Sequence, residues 1–314
     1  MADATLTQTA VATGPASVRQ AGPAPKGASA GRPALPQKRQ RGVLGGGRGT
    51  LGLRAIALLY VGILVVLPLA IVTYRTFRPG LHPLGAVFTD PNTIHAIELS
   101  IEIAIWAVVL NTVFGVGMAL LLTRYRFPGK ALLGAFVDLT VSISPIVVGL
   151  ALVLVYGPQG WFGGVLGHLG YRVIDSTPGM VLATVFVSMP LVLRAVAPVL
   201  IEAGTEAEQA AASLGAGAFA QFRRITLPAI RSAIAYGLVL SLARALGEYG
   251  AVLVVSGNIE GRTETATLRI SNLYETEFQP DQAYALTFVL LVIAIIAIIV
   301  VSILRRRAER KELG

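Results

Sequence analysis

The 314 residues are 54% hydrophobic and only 14% charged, with a mean hydropathy of +0.70, which excludes an ordinary soluble domain. Cysteine is absent, so a disulfide framework and a Cys-ligated metal are excluded as well. The net charge of +9 does not by itself indicate nucleic acid, because Lys and Arg beside apolar runs report membrane orientation.

Residues 1–50 are rich in Ala, Gly, Pro, Thr, Arg and Lys and lack apolar periodicity, so a disordered basic cytoplasmic tail is predicted. The tail has no apolar core of the kind a signal peptide requires. GASAG at 27–31 has the spacing of a nucleophile elbow but no strand and helix around it. GVLGGGRGT at 42–50 has Arg48 and Gly49 where a phosphate loop needs Lys and Ser or Thr, so no ATP site is expected there.

An all-α polytopic membrane protein follows, with six predicted transmembrane helices at about 51–74, 96–122, 131–156, 179–200, 229–255 and 283–304, each long enough to cross a hydrocarbon layer. The membrane domain spans 51–304, and RRRAERKELG at 305–314 forms a second basic tail. Arg124, Arg126 and Lys130 crowd one short loop, TRYRFPGK. With that loop, both tails and the 201–228 loop on the cytoplasmic side, the positive charges close consistently on six spans. The opposite loops hold Arg75, Arg78, Arg172, Arg262 and Arg269 among acids such as Asp90, Glu260 and Glu275. His82, His95 and His168 are scattered and form no metal motif, and no nucleophile, base and orienter coincide, so neither a metal site nor an enzyme is expected.

Between the fourth and fifth spans lies a polar segment ending in QAAASLGAGAFAQFRRITLP, residues 209–228. Thr205 and Glu208 have the spacing of a capping box, which predicts a helix start. Ala210, Ala211 and Ala212 continue the helix, and Gly215 stops it in the left-handed conformation. A second short helix carries Phe219 and Phe222 and ends at Thr226-Leu227-Pro228, where Thr can cap the next span. On these features alone, a docking knob and an ordinary structured loop are both open.

The order Ala210, Ala211, Gly215, Ile225, Leu227, Pro228 resembles the EAA loop, E-A-A-x3-G-x9-I-x-L-P, of the permease subunits of bacterial ABC importers. Gln209 stands where that family has Glu, with Glu208 one place earlier. SISPIVVGLALVLVYGPQGWFGG, PGMVLATVFVSMP and FRRITLPAIRSAIAYGLVLSLARALGEYGAVLVVSGNI are similar to the sulfate and thiosulfate branch, CysW-type. The resemblance implies a type I ABC importer permease architecture in a bacterial inner membrane. It implies as partners two copies of an ATP-binding subunit, a second, CysT-type permease and an extracytoplasmic sulfate-binding protein. No cofactor is expected on this chain; ATP-Mg is used by the partner, whose groove receives the loop. In that reading Thr205 and Glu208 start the coupling helix, Gly215 turns the chain and Phe222 anchors it. A molybdate or tungstate permease is the alternative, and an ATP-independent secondary anion transporter is the alternative outside that class.

Candidate path residues lie in the spans. Ser142, Ser144 and Pro145 combine hydroxyls with a helix-loosening proline, which suits weak contact with a passing anion. Arg244 and Glu248 are four apart in the fifth span, where an unpaired charge costs about 2.5 to 3.5 kcal/mol on insertion scales. Two readings stay open for them, a structural pair or a gate element that meets the anion. Asp138 is expected to make an interfacial or interhelical hydrogen bond. Gly237 with Ser241, and Ala243 with Gly247, are expected to allow close helix packing.

Overall fold

A computed structural model describes residues 48–310, with side chains from 54 to 303. Of the predicted basic tails, residues 1–47 and 311–314 lie outside the described residues, whereas 48–50 and 305–310 are helical. The chain divides at Ile56 into two units. In the first, the described residues open one helix; the second, residues 57–314, carries the rest of the architecture.

Fourteen α-helices follow one another without a strand among the described residues: α1 (Arg48–Val61), α2 (Leu67–Phe77), α3 (His82–Thr89), α4 (Pro91–Arg124), α5 (Lys130–Ser142), α6 (Pro145–Tyr156), α7 (Gly163–His168), α8 (Thr177–Ala203), α9 (Glu206–Ser213), α10 (Ala218–Gln221), α11 (Leu227–Leu246), α12 (Gly250–Val255), α13 (Ala266–Ser271) and α14 (Pro280–Arg310). Five helical stretches are long and apolar enough to cross a membrane, and the count reaches six when the bent pair α5–α6 is taken as one span. The six windows expected from sequence are thus all helical, but two are broken.

The third window turns by 115° between Ser142 and Pro145. Ile143 and Ser144 are extended there, because a residue preceding proline is driven out of the helical region and Pro145 itself fits only a first turn. In the fifth window α11 stops at Leu246 and α12 restarts at Gly250. Prolines also account for two π turns. Gly62–Val66 precedes Pro68, and Phe222–Thr226 precedes Pro228. Each widened turn comes before a ring that lacks an N–H and would crowd the carbonyl four residues back.

Helix starts are set locally. Asp90 accepts the backbone N–H groups of Asn92 (3.3 Å) and Thr93 (3.1 Å), and Pro91 occupies the first turn of α4. At 34 residues, α4 runs about 51 Å and exceeds a bilayer core, so its ends project beyond it.

The core lies where α4, α8 and α11 meet. Gly115 of α4 and Gly237 of α11 both face Val192 of α8, so close that a Cβ on either would lie within 3.0 Å of it. Asn111 is fully buried at the same junction and donates to Ser188 (2.7 Å) and Ser241 (3.2 Å), which ties the three helices with polar contacts inside an apolar setting. The small pair Gly237 and Ser241 therefore packs as expected. Ala243 and Gly247 do not, since the space at Gly247 holds only the Ala243 carbonyl, 3.7 Å from a built Cβ. The helix has ended there, and Gly247 serves the break instead.

Candidate functional site

The polar loop forms a knob at one end of the bundle. α9 begins at Glu206 as expected, but the capping box does not form: Thr205 makes no side-chain bond to the helix backbone. Its hydroxyl accepts instead from the Gln209 amide at 3.0 Å. Glu208 turns to Arg124, at the end of α4, with 3.0 Å between Oε2 and Nε, and accepts from the Thr226 hydroxyl at 2.7 Å. A guanidinium offers a charge-assisted bond that a backbone N–H cannot match, which explains the choice. Arg124 also donates to the Leu200 carbonyl at 3.0 Å, so one side chain gathers α4, α8 and α9.

The loop's second turn matches its sequence. Gly215 has φ +83°, the Ala216 N–H reaches the Ala211 carbonyl (3.0 Å) and the Gly215 N–H the Ala212 carbonyl (2.9 Å), a Schellman ending. The predicted helix end at Thr226 is absent. α10, the π turn and α11 form one continuous rod, and Thr226 is helical and bonded to Glu208 instead of capping. Phe222 packs on the core cluster that includes Val196 and Ile230. Ile225 is half-buried, whereas Gln209, Ala210, Leu227 and Pro228 are exposed and Ala211 is intermediate. Leu214 and Phe219, at 89% and 75% exposure, are the knob's bare apolar side chains.

The two broken spans adjoin. Gly250 lies against Pro145 and Ile146, where an added Cβ would stand 3.2 Å from each. Ser142 and Ser144, with exposed side chains, and Pro145 therefore sit beside the α11–α12 break. Arg244 and Glu248 do pair, at 2.8 Å, but across the end of α11 rather than along an unbroken helix. Glu248 is buried and its other oxygen accepts the Ala251 N–H at 2.9 Å, so the carboxylate also starts α12. Asp138 accepts from Arg194 of α8 at 2.8 Å, the interhelical one of the two bonds expected of it. Arg194 was not singled out in the sequence, although a lone Arg in VSMPLVLRAVAPVL is signal enough.

At the end of the bundle away from α9, Arg269 is buried among four carboxylates: Glu277 (2.6 Å), Glu260 (3.2 Å), Asp90 (3.4 Å) and Glu264 (3.8 Å). Sequence reading counted it only as a loop charge, since nothing local reveals partners up to 179 residues away. Burial pulls the Asp90 carboxyl up, but the Thr93 hydroxyl, the Asn92 and Thr93 N–H groups and Arg269 outweigh it and hold it below its ordinary 3.8. Its stabilisation is therefore complete above that value and is lost as the pH falls through the depressed one. Burial pushes Glu264 above its ordinary 4.5, against the Asn272 hydrogen bond and Arg269. Ionised Glu264 is thus a burden at neutral pH. Glu264→Gln is expected to raise the unfolding midpoint at pH 7. The gain should vanish below pH 4.5, and a thermal-shift series from pH 4 to 8 checks it. Among the described residues no group of three His, Asp or Glu is placed to hold a metal.

Residues 111–311 match the family of binding-protein-dependent transport system inner membrane components. The sulfate transport system permease protein CysW of Synechococcus elongatus is 43% identical over 261 residues, covering 83% of this chain and 91% of that protein. CysW of Escherichia coli is 40% identical over 257 residues, 82% of this chain and 88% of that one. CysT of Salmonella typhimurium is 35% identical over 258 residues, 82% and 93% of the two chains. A crystal structure of a bacterial ABC transporter that imports alginate superposes with a TM-score of 0.69 over 82% of this chain and 95% of that one. At 17% identity that likeness speaks for the fold alone. With the family match over most of the spans and these identities across the membrane region, the chain belongs to the CysW and CysT permeases of the binding-protein-dependent ABC importers.

Proposed function

We propose that this chain is the CysW-type permease of an importer that moves sulfate or thiosulfate across a bacterial inner membrane, driven by ATP hydrolysed on a separate subunit. The observation that carries the coupling is the tether of Glu208 to Arg124 and Thr226, which fixes α9 to two spans at once. A push on such a knob reaches α4 and α11 directly. The exposed face of α9 and the bare side chains of Leu214 and Phe219 supply the docking surface for one of the two ATP-binding subunits of a complex with a CysT-type permease. An extracytoplasmic binding protein delivers the anion at the Arg269 end, and both termini with α9 lie in the cytoplasm, in keeping with the loop charges.

In this reading residues 51–304 form the permease domain between the basic tails at 1–50 and 305–314. The anion passes the break at Ser142, Ser144 and Pro145 and the partly exposed Arg244, whose charge is held in place by Glu248. Gly215→Arg tests the docking. No protein atom stands within 4 Å of a Cβ at Gly215, so the substituted chain should fold save for the strain of a positive φ. A long cation there blocks entry to a groove. Cells lacking the gene should recover labelled sulfate uptake with the wild-type chain, competed by thiosulfate, and less than about a tenth of it with Gly215→Arg at equal membrane abundance, a loss of about 1.4 kcal/mol in coupling. Equal uptake by both would remove α9 from the coupling path; competition by molybdate alone would move the substrate to that oxyanion.

A further inference from the structure

The side chains of Arg194 and Asp138 are 51% and 67% exposed, within spans where lipid contact is costly for either charge. Their neighbours Val137 and Leu193 are buried in the core, so α5 and α8 turn the two charges away from it. Asp138 lies eight residues from the start of α5 and Arg194 nine from the end of α8, about 12 and 14 Å from the α9 end of each helix. The pair therefore occupies one depth, well inside the bilayer and too deep for both side chains to reach the surface easily.

The same face of α5 continues as Ala131, Ala135, Asp138 and Ser142, small or polar and all exposed, and arrives at the Ser142–Pro145 break. Beside Arg194, Ala195 packs against Gly237 of α11. Arg244 is seven residues beyond Gly237, so the backbone positions of the two arginines differ by about 10 Å in depth along the bundle. Each is paired with one carboxylate at 2.8 Å.

We infer that Arg194 is a second cationic waypoint for the transported oxyanion, in the cytoplasmic half of the path, with Asp138 as the counter-ion that the anion displaces and that then helps expel it. The inference rests on the transport reading above and extends it to a residue pair outside the earlier path. A guanidinium suits a tetrahedral dianion because its N–H groups donate in parallel. A neighbouring carboxylate keeps the hold weak, as passage requires.

The test uses the whole complex in cells lacking the gene. Asp138→Asn combined with Arg194→Gln leaves two neutral hydrogen-bonding groups and no buried or lipid-facing charge, so a purely structural pair should tolerate it. The waypoint reading expects normal membrane abundance with labelled sulfate uptake at least ten-fold below wild type, and recovery of most of it by Asp138→Asn with Arg194→Lys. Wild-type uptake by the doubly neutral chain overturns the proposal. Because the chain has no cysteine, Ser142→Cys gives an independent reading. A water-soluble thiol reagent should label it in the assembled complex, and failure to label means this face is sealed and the waypoint is wrong, whatever the substrate. Labelling without any wild-type sulfate uptake would support an aqueous path and reject sulfate as its cargo.

Discussion

Glu208→Ala is expected to lower labelled sulfate uptake at least ten-fold while leaving the chain in the membrane. The carboxylate is the hub that Arg124 and Thr226 share, and both ion-pair side chains are mostly shielded, at 14% and 19% exposure for Arg124 and Glu208. An exposed pair contributes about 0–1 kcal/mol and breaking a fully buried one costs about 3–5, so this mostly shielded pair is worth about 2 kcal/mol. That is too little to unfold a six-span bundle and enough to let α9 swing free. Arg124→Gln should act alike, whereas Thr226→Val removes one hydrogen bond, about 1 kcal/mol, and should act less. ATP hydrolysis by the complex separates lost coupling from lost assembly: a loosened α9 leaves hydrolysis running without uptake. If Glu208→Ala transported at the wild-type rate, the tether would be incidental.

Gly115→Leu should have the largest effect on the fold itself. A Cβ there already falls 2.7 Å from the Val192 Cβ and 3.2 Å from the Leu193 backbone nitrogen, and α8 cannot retreat because Gly237 holds the same residue from the other side. Overpacking a well-filled contact costs about 1–3 kcal/mol, and here the obstacle is partly backbone, which puts the cost at the upper end or beyond. The chain should disappear from the membrane fraction on immunoblotting. Gly117→Leu, two residues along the same helix with nothing within 4 Å of its Cβ, is the matched control and should accumulate normally. Equal abundance of the two would mean that α4 and α8 are less tightly packed than described.

These two sites mark how far the sequence could be read. Local chemistry was legible where it acts locally: Gly215 ends α9, apolar runs mark the spans, and Gly237 with Ser241 lies at a helix contact. Where a residue had a choice between a local and a distant partner, the distant one was invisible. Glu208 has capping-box spacing, but Arg124 is 84 residues away and binds it more strongly than Thr205 can. Thr226 has the look of a cap and instead donates to Glu208 inside a continuous helix. Pro145 was read as loosening its span and Pro228 as standing at the start of the next, yet Pro145 bends its span by 115° while Pro228 is absorbed by a π turn inside a continuous rod. The Arg194–Asp138 and Arg269 pairings likewise arise only once the helices are assembled.

The measurement that bears most directly on the whole account is accumulation of labelled sulfate in proteoliposomes that hold this chain with the proposed partners, a CysT-type permease, ATP-binding subunits and a binding protein. Accumulation should require this chain, the ATP-binding subunits and ATP on the α9 side of the membrane, and should stop with Glu208→Ala. Accumulation by this chain alone, without an ATP-binding subunit, would contradict the account.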